Sequence, residues 1–110
     1  MQNRLRPRKK MRMPVRFGER QPERLGFIVD VSPDGMYVET NRVLPVGSAV
    51  SLDVELRGGG HLALKGRVMR SKAVPPQLAQ VMRGGMGIRI ENPPTDWTDA
   101  IAMPETGGER

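Results

Sequence analysis

The chain has 110 residues and only four aromatics, enough for one domain with a modest core built from Val, Leu, Ile and Met. It has no cysteine and one histidine, His61, which excludes disulfides, thiolate metal sites and a histidine cluster and suits a reducing compartment. The net charge of +6 is uneven: residues 1–24 carry +7 and the remainder −1, which suits either an anionic partner met at one place or a solvated, solubilising tail.

Residues 1–11 form a basic arm with little apolar content and a proline, Pro7, and read as flexible. From Arg12 the pattern changes, and Met13, Val15 and Phe17 alternate as in a half-buried strand. Gly18 to Arg24 reads as a loop. Leu25, Phe27 and Val29 alternate in a second strand, which runs into the turn Ser32-Pro33-Asp34-Gly35. Met36, Val38 and Thr40 make a third strand, and Pro45-Val46-Gly47 a turn. Val50, Leu52, Val54 and Leu56 alternate with Ser51, Asp53 and Glu55 in the clearest strand of the chain. Gly58-Gly59-Gly60 closes a hairpin, and Leu62, Leu64, Gly66 and Val68 return to Arg70. Gly66 is a candidate bulge or bend. After Pro75-Pro76, Gln77 to Met82 reads as one helical turn or an irregular excursion. Met86, Ile88 and Ile90 make the last strand, ended by Pro93-Pro94. Thr95 is placed to cap a short helix from Asp96 to about Met103, with Trp97 and Ile101 four apart as a plug for one end of the body. Six short strands with tight turns point to an antiparallel barrel or sandwich over residues 12–103, followed by a disordered tail at 104–110.

No apolar run approaches the roughly 20 residues of a membrane helix, and no apolar core follows the basic N-terminus. The expectation is a cytoplasmic protein with no membrane insertion.

Two features carry chemistry. Arginines recur at positions 4, 8, 12, 16, 20 and 24, so an Arg-x-x-x-Arg pair fits five overlapping frames. Arg8 and Arg12 stand immediately before the first strand, where a mobile pair can close over a ligand; Arg4 and Arg16 are the fallback partners. A guanidinium donates two parallel hydrogen bonds to a phosphate or to the N7/O6 edge of guanine, and its flat face stacks on a base. Lys9 and Lys10 add field rather than geometry. The bland alternative pairs these arginines with surface carboxylates such as Glu19. The second feature is Asp30-x-Ser32-x-x-Gly35. As a plain turn it needs Asp30 and Ser32 for local hydrogen bonds and Gly35 for a positive φ. As a ligand site, Asp30 accepts from guanine N1–H and N2–H₂, Ser32 bonds a base edge or phosphate, and Gly35 lets the backbone approach the ring.

Arg8-x-x-x-Arg12 followed by Asp30-x-Ser32-x-x-Gly35 resembles the signature of the PilZ domain, the bacterial receptor module for cyclic di-GMP. Further similar pieces are Met36-Tyr37-Val38-Glu39-Thr40, Leu44-Pro45-Val46-Gly47, Lys65-Gly66-Arg67-Val68 and Gly85-Met86-Gly87-Ile88-Arg89-Ile90, and the likeness spans about residues 8 to 102. The resemblance implies a six-stranded antiparallel β-barrel with a C-terminal helix and no catalysis. It implies cyclic di-GMP, one or an intercalated pair, held by Arg8, Arg12, Asp30, Ser32 and Gly35, with Arg4, Lys9, Lys10 and Gly87 as auxiliary positions. No cofactor or metal is expected beyond that ligand. The chain reads as a stand-alone domain acting through a downstream protein in motility, surface attachment or polysaccharide secretion.

Two other classes compete. A small barrel binding RNA or single-stranded DNA through its arm predicts strong salt dependence, but aromatic platforms on the strands are scarce. A protein-interaction adaptor would ignore nucleotides and carry Arg8 and Arg12 as surface charges. His61 reads as exposed, the eight methionines as an adaptable core, and Gly58-Gly59-Gly60 lacks the Lys-Ser/Thr of a phosphate loop.

Overall fold

A computed structural model describes residues 8–102; Arg4, the rest of the arm before Arg8 and the tail 104–110 lie outside the described residues. Six strands and one helix appear: β1 (Lys9–Gly18), β2 (Arg24–Ser32), β3 (Gly35–Glu39), β4 (Ala49–Glu55), β5 (His61–Lys72), β6 (Gly85–Ile90) and α1 (Thr95–Ala102). All neighbouring strands are antiparallel, and they close into a barrel in the order β1-β2-β3-β6-β5-β4. The choice between barrel and sandwich is therefore settled in favour of the barrel.

Alternation explains most of the interior. Met13, Val15 and Phe17 of β1, Val50, Leu52 and Val54 of β4, and Met86, Ile88 and Ile90 of β6 are all buried. β1 begins at Lys9, earlier than the alternation from Arg12 marks, so Lys9, Lys10 and Met11 belong to the strand. Pro14 is tolerated in it because the pairing of β1 with β4 starts only at Val15, where an N–H is again available.

β2 departs from its sequence pattern. Its inward residues are Gly26, Ile28 and Val31, while Leu25 is 54% exposed and Phe27 and Val29 are half-buried. The cause is a bulge: Ile28 pairs with Val38 but Asp30 pairs with Tyr37, so two steps along β2 match one along β3. The extra residue reverses the pleat, turning Asp30 out and Val31 in. β5 has a matching bulge, in which Val68 and Arg70 face Ile88 and Gly87. It lies beyond Gly66, whose own requirement is close approach: a Cβ there would stand 2.7 Å from the Arg89 carbonyl oxygen and from the Ile88 side chain.

The helix begins at Thr95, whose place is inside the first turn; the Trp97 and Thr98 amides donate to the Pro94 carbonyl. Trp97 and Ile101 are buried and plug one end of the barrel as their spacing predicts. Two long-range bonds hold the helix down. The Trp97 indole N–H donates to the Ser32 carbonyl at 3.1 Å, and the Lys9 ammonium donates to the Ile101 carbonyl at 2.8 Å. The second places a cation at the negative end of the helix. Between β5 and β6, Pro76–Leu78 forms a short 3-10 helix, and a bonded turn follows in which the Val81 and Met82 amides donate to the Leu78 carbonyl.

Candidate anion-binding site

Strand pairing sets five residues in one row across the outside of the barrel. Lys10 stands opposite Asp30, Asp30 opposite Tyr37, Tyr37 opposite Gly87, and Gly87 opposite Arg70. Each flank of the row is irregular. From Ile88 to Gly87 is one step, as from Val38 to Tyr37; the matched advance takes two steps on β2, two on β5 and three on β1, from Met13 to Lys10. The sheet therefore fans out around β3 and β6, and the added residues turn Asp30 and Arg70 outward although Ile28 and Val68, two positions away, face the core. Bulges of this kind re-aim side chains at sites.

The row frames an open depression of about 490 Å³ lined by Arg8, Lys10, Asp30, Tyr37 and Arg70. That volume falls within the range of about 300–1,000 Å³ common for small-molecule clefts. Its floor is shaped by two glycines of β6. A Cβ on Gly85 would stand 2.5 Å from Tyr37 Cε2 and Oη, so the phenol ring lies against bare backbone. Gly87 leaves a gap between Tyr37 and Arg70, whose Nε would be 3.6 Å from an added Cβ. The charges are three cations and one carboxylate. Lys10 Nζ is 3.6 Å from Asp30 Oδ1, but the lysine side chain is 86% exposed, so the pair holds Asp30 only weakly. Arg8 and Arg70 make no ion pair with a described residue. An arrangement of two free guanidiniums, a carboxylate and an aromatic ring can receive an anion that also carries hydrogen-bond donors and a flat ring.

The residues singled out from the sequence divide into those the depression gathers and those it does not. Arg8, Lys10 and Asp30 line it, and Gly87 lies in the same row. Arg12 does not line it; its guanidinium lies over the Phe27 ring, 4.3 Å from the centroid. Lys9 is turned to the helix end rather than to the site. Ser32 is half-buried, its hydroxyl donating to Asp34 Oδ1 at 3.2 Å and its carbonyl holding Trp97. Gly35 does not have a positive φ. Neither Pro33 nor Asp34 has a positive φ, so the turn Ser32-Pro33-Asp34-Gly35 is not a primed or type II form and agrees with type I, for which Ser, Pro and Gly suit the first, second and fourth places. Gly35 is required instead because a Cβ would stand 2.9 Å from the Ile88 carbonyl oxygen of β6. Arg4 lies outside the described residues.

Tyr37 and Arg70 were not among the sequence candidates. A signal for Tyr37 existed: it stands two residues beyond Gly35 and shares the outward face with it. None existed for Arg70, whose parity with Val68 assigns it to the core until the bulge is known.

The family model described as the PilZ domain matches residues 2–99. No curated protein matches the chain. Among solved structures, the chain is similar to the Bacillus subtilis inhibitor of motility (MotI/DgrA), with a TM-score of 0.73 at 15% identity. That match covers 93% of this chain and 49% of the other, so the chain spans about half of that protein's length and the likeness is one of fold.

Proposed function

The chain belongs to the PilZ domain family, and on that premise we propose that it is a non-catalytic receptor for cyclic di-GMP that passes its occupancy to a partner protein. The observation that carries this reading is the meeting of Arg8 and Asp30, remote in sequence, at one depression on the barrel wall. Asp30 is the acceptor for the guanine N1–H and N2–H₂ donors. Arg8 and Arg70 are forks for phosphate or for the N7/O6 edge. The Tyr37 ring offers a flat apolar edge beside them. Binding displaces Lys10 from Asp30, a small loss for a contact so exposed. Arg12 joins by leaving Phe27, at a cost of about 0.5–1 kcal/mol for an exposed cation–π contact. Ser32 and Gly35 hold the turn from which Asp30 projects. The partner proposed acts in motility, surface attachment or polysaccharide control, the first in keeping with the inhibitor of motility that shares the fold.

Calorimetric titration with cyclic di-GMP, with GMP and a short single-stranded oligonucleotide as controls, tests the reading. Saturable binding of cyclic di-GMP alone is expected, and the molar ratio distinguishes one ligand from two. Arg8→Ala, Arg12→Ala and Asp30→Ala should each weaken it roughly ten- to a hundredfold, since charge-assisted hydrogen bonds are worth about 1.5–3 kcal/mol. Arg20→Ala should change little. A folded protein that does not bind would be an adaptor, and salt-sensitive binding of the oligonucleotide would make it a nucleic-acid protein.

A further inference from the structure

Between Glu55 and Glu91 the sequence contains no Asp or Glu, yet it contains seven Lys or Arg. This run is β5, the excursion and β6, so the near-neutral body conceals a cationic half. Six of the cations, Lys65, Arg67, Arg70, Lys72, Arg83 and Arg89, are exposed. Arg67 and Arg89 stand directly opposite each other across β5 and β6, a like-charge pairing that opposes folding. Arg67 alone of the six has a carboxylate partner among the described residues, Glu91 at 3.6 Å. Arg67 and Arg89 line a depression of about 440 Å³ together with Met69 and Glu91.

Apolar side chains are exposed along the same limb. Leu78, Val81 and Met82 are 40%, 77% and 39% exposed. The Val81 and Met82 amides both donate to the Leu78 carbonyl, which puts the three on one exposed face of a helical turn. Met69, between Val68 and Arg70 at the β5 bulge, is 47% exposed. Of six large hydrophobic residues exposed among the described residues, four therefore belong to this limb, and Val46 sits beside it through the bond from the Gly47 amide to the Val68 carbonyl.

We propose that the β5–excursion–β6 limb is a docking surface for an anionic lipid bilayer, with Leu78, Val81 and Met82 entering the headgroup region and the cations facing lipid phosphates. Charge complementarity selects the occupant. A diffuse cationic field, with Glu91 as the carboxylate at its end, suits a continuous anionic surface, and apolar groups on an exposed turn suit shallow insertion rather than a matching groove. No described helix is long and apolar enough to cross a membrane, and the contact proposed is a peripheral one. Of the six cations only Arg70 lines the outer depression, so the other five leave the surface standing whether or not that depression takes a nucleotide.

Sedimentation of the full chain with vesicles of phosphatidylcholine, alone or mixed with phosphatidylglycerol, tests the proposal. Partition into the phosphatidylglycerol vesicles only is expected. The Arg67→Gln/Arg89→Gln pair should lower it about thirtyfold, two cations at about 1 kcal/mol each. Val81→Asp should lower it tenfold or more; at 77% exposure that residue is not needed for folding, which the circular dichroism spectrum checks. Arg16→Gln, on β1 across the barrel, should leave it within twofold. Absence of partition at low salt overturns the proposal. So does partition that the limb variants leave intact, which would assign the lipid contact to the arm. A photo-crosslink from position 82 to a protein in cells, lost in Val81→Asp while vesicles fail to bind, would give the limb to a protein and equally overturn it.

Discussion

Replacing Gly85 by alanine is a sharp probe of how the site is built. The new methyl would stand 2.5 Å from Tyr37 Cε2 and Oη and 2.6 Å from Cζ. Carbon atoms in contact prefer about 3.5–4.0 Å, so the ring must retreat by roughly 1 Å or more. It can do so, because Tyr37 is half-buried on the outer face and open to the depression. The stability cost should therefore sit at the low end of overpacking, about 1 kcal/mol. With a urea m-value of about 2 kcal/mol/M, the midpoint falls by about 0.5 M. Gly66→Ala is the contrast: its methyl meets the Arg89 carbonyl and the buried Ile88 side chain, neither free to leave, and should cost about 3 kcal/mol. The decisive measurement is a double-mutant cycle. In a Tyr37→Ala background the ring is gone and Gly85→Ala should become nearly neutral, a coupling of about 1 kcal/mol. An equal destabilisation in both backgrounds would refute the account, since the clash would then lie with the strand and not with the phenol.

Other outcomes follow from single contacts. Lys9→Ala should lower stability by about 1 kcal/mol in urea unfolding, through loss of the bond to the Ile101 carbonyl at the helix end, and Lys9→Arg should recover part of it. Trp97→Phe retains most of the plug but strands the Ser32 carbonyl, at a cost of about 1 kcal/mol. Because Trp97 is the single tryptophan and is bonded to the turn after Asp30, its fluorescence should change on titration with cyclic di-GMP. Arg70→Ala should weaken that ligand roughly ten- to a hundredfold with the urea midpoint unmoved, as for a guanidinium that makes no ion pair with a described residue.

The strands were legible wherever side chains alternate without interruption. β4, with Val50, Leu52 and Val54 buried in turn, is the plainest instance. Legibility failed at the bulges. An inserted residue leaves no compositional mark, so Leu25, Phe27 and Val29 look like the inner face of β2 although Gly26 and Ile28 hold it. The same slip hid Arg70. Tyr37 stands off the Met36, Val38 and Thr40 alternation and so on the outer face, but nothing in its own segment shows that its ring lies against the bare backbone of Gly85. Asp30 was legible from the turn it precedes, a local signal that the bulge does not erase. Arg8 could be chosen from six evenly spaced arginines only by its distance from the first strand. What that distance could not convey is that Arg12, already inside β1, has Phe27 as its neighbour. Gly35 was recognised as necessary for a reason the structure replaces: the crowding comes from β6, a strand that arrives more than fifty residues later.

The two bonds that hold α1 bear on the order in which the molecule opens. They join residues separated by 92 and 65 positions, whereas much of the barrel is built from hairpins of neighbouring strands. Contacts across such separations close the largest loops and are expected to form late. The helix is short and has few buried side chains, so it is also the element with least to lose by detaching. Its amides should therefore exchange with solvent through undocking of the plug, ahead of the sheet. Lys9 lies between Arg8 and Lys10, and Ser32 lies two residues past Asp30, so whatever stiffens the depression should slow that exchange at the far end of the chain.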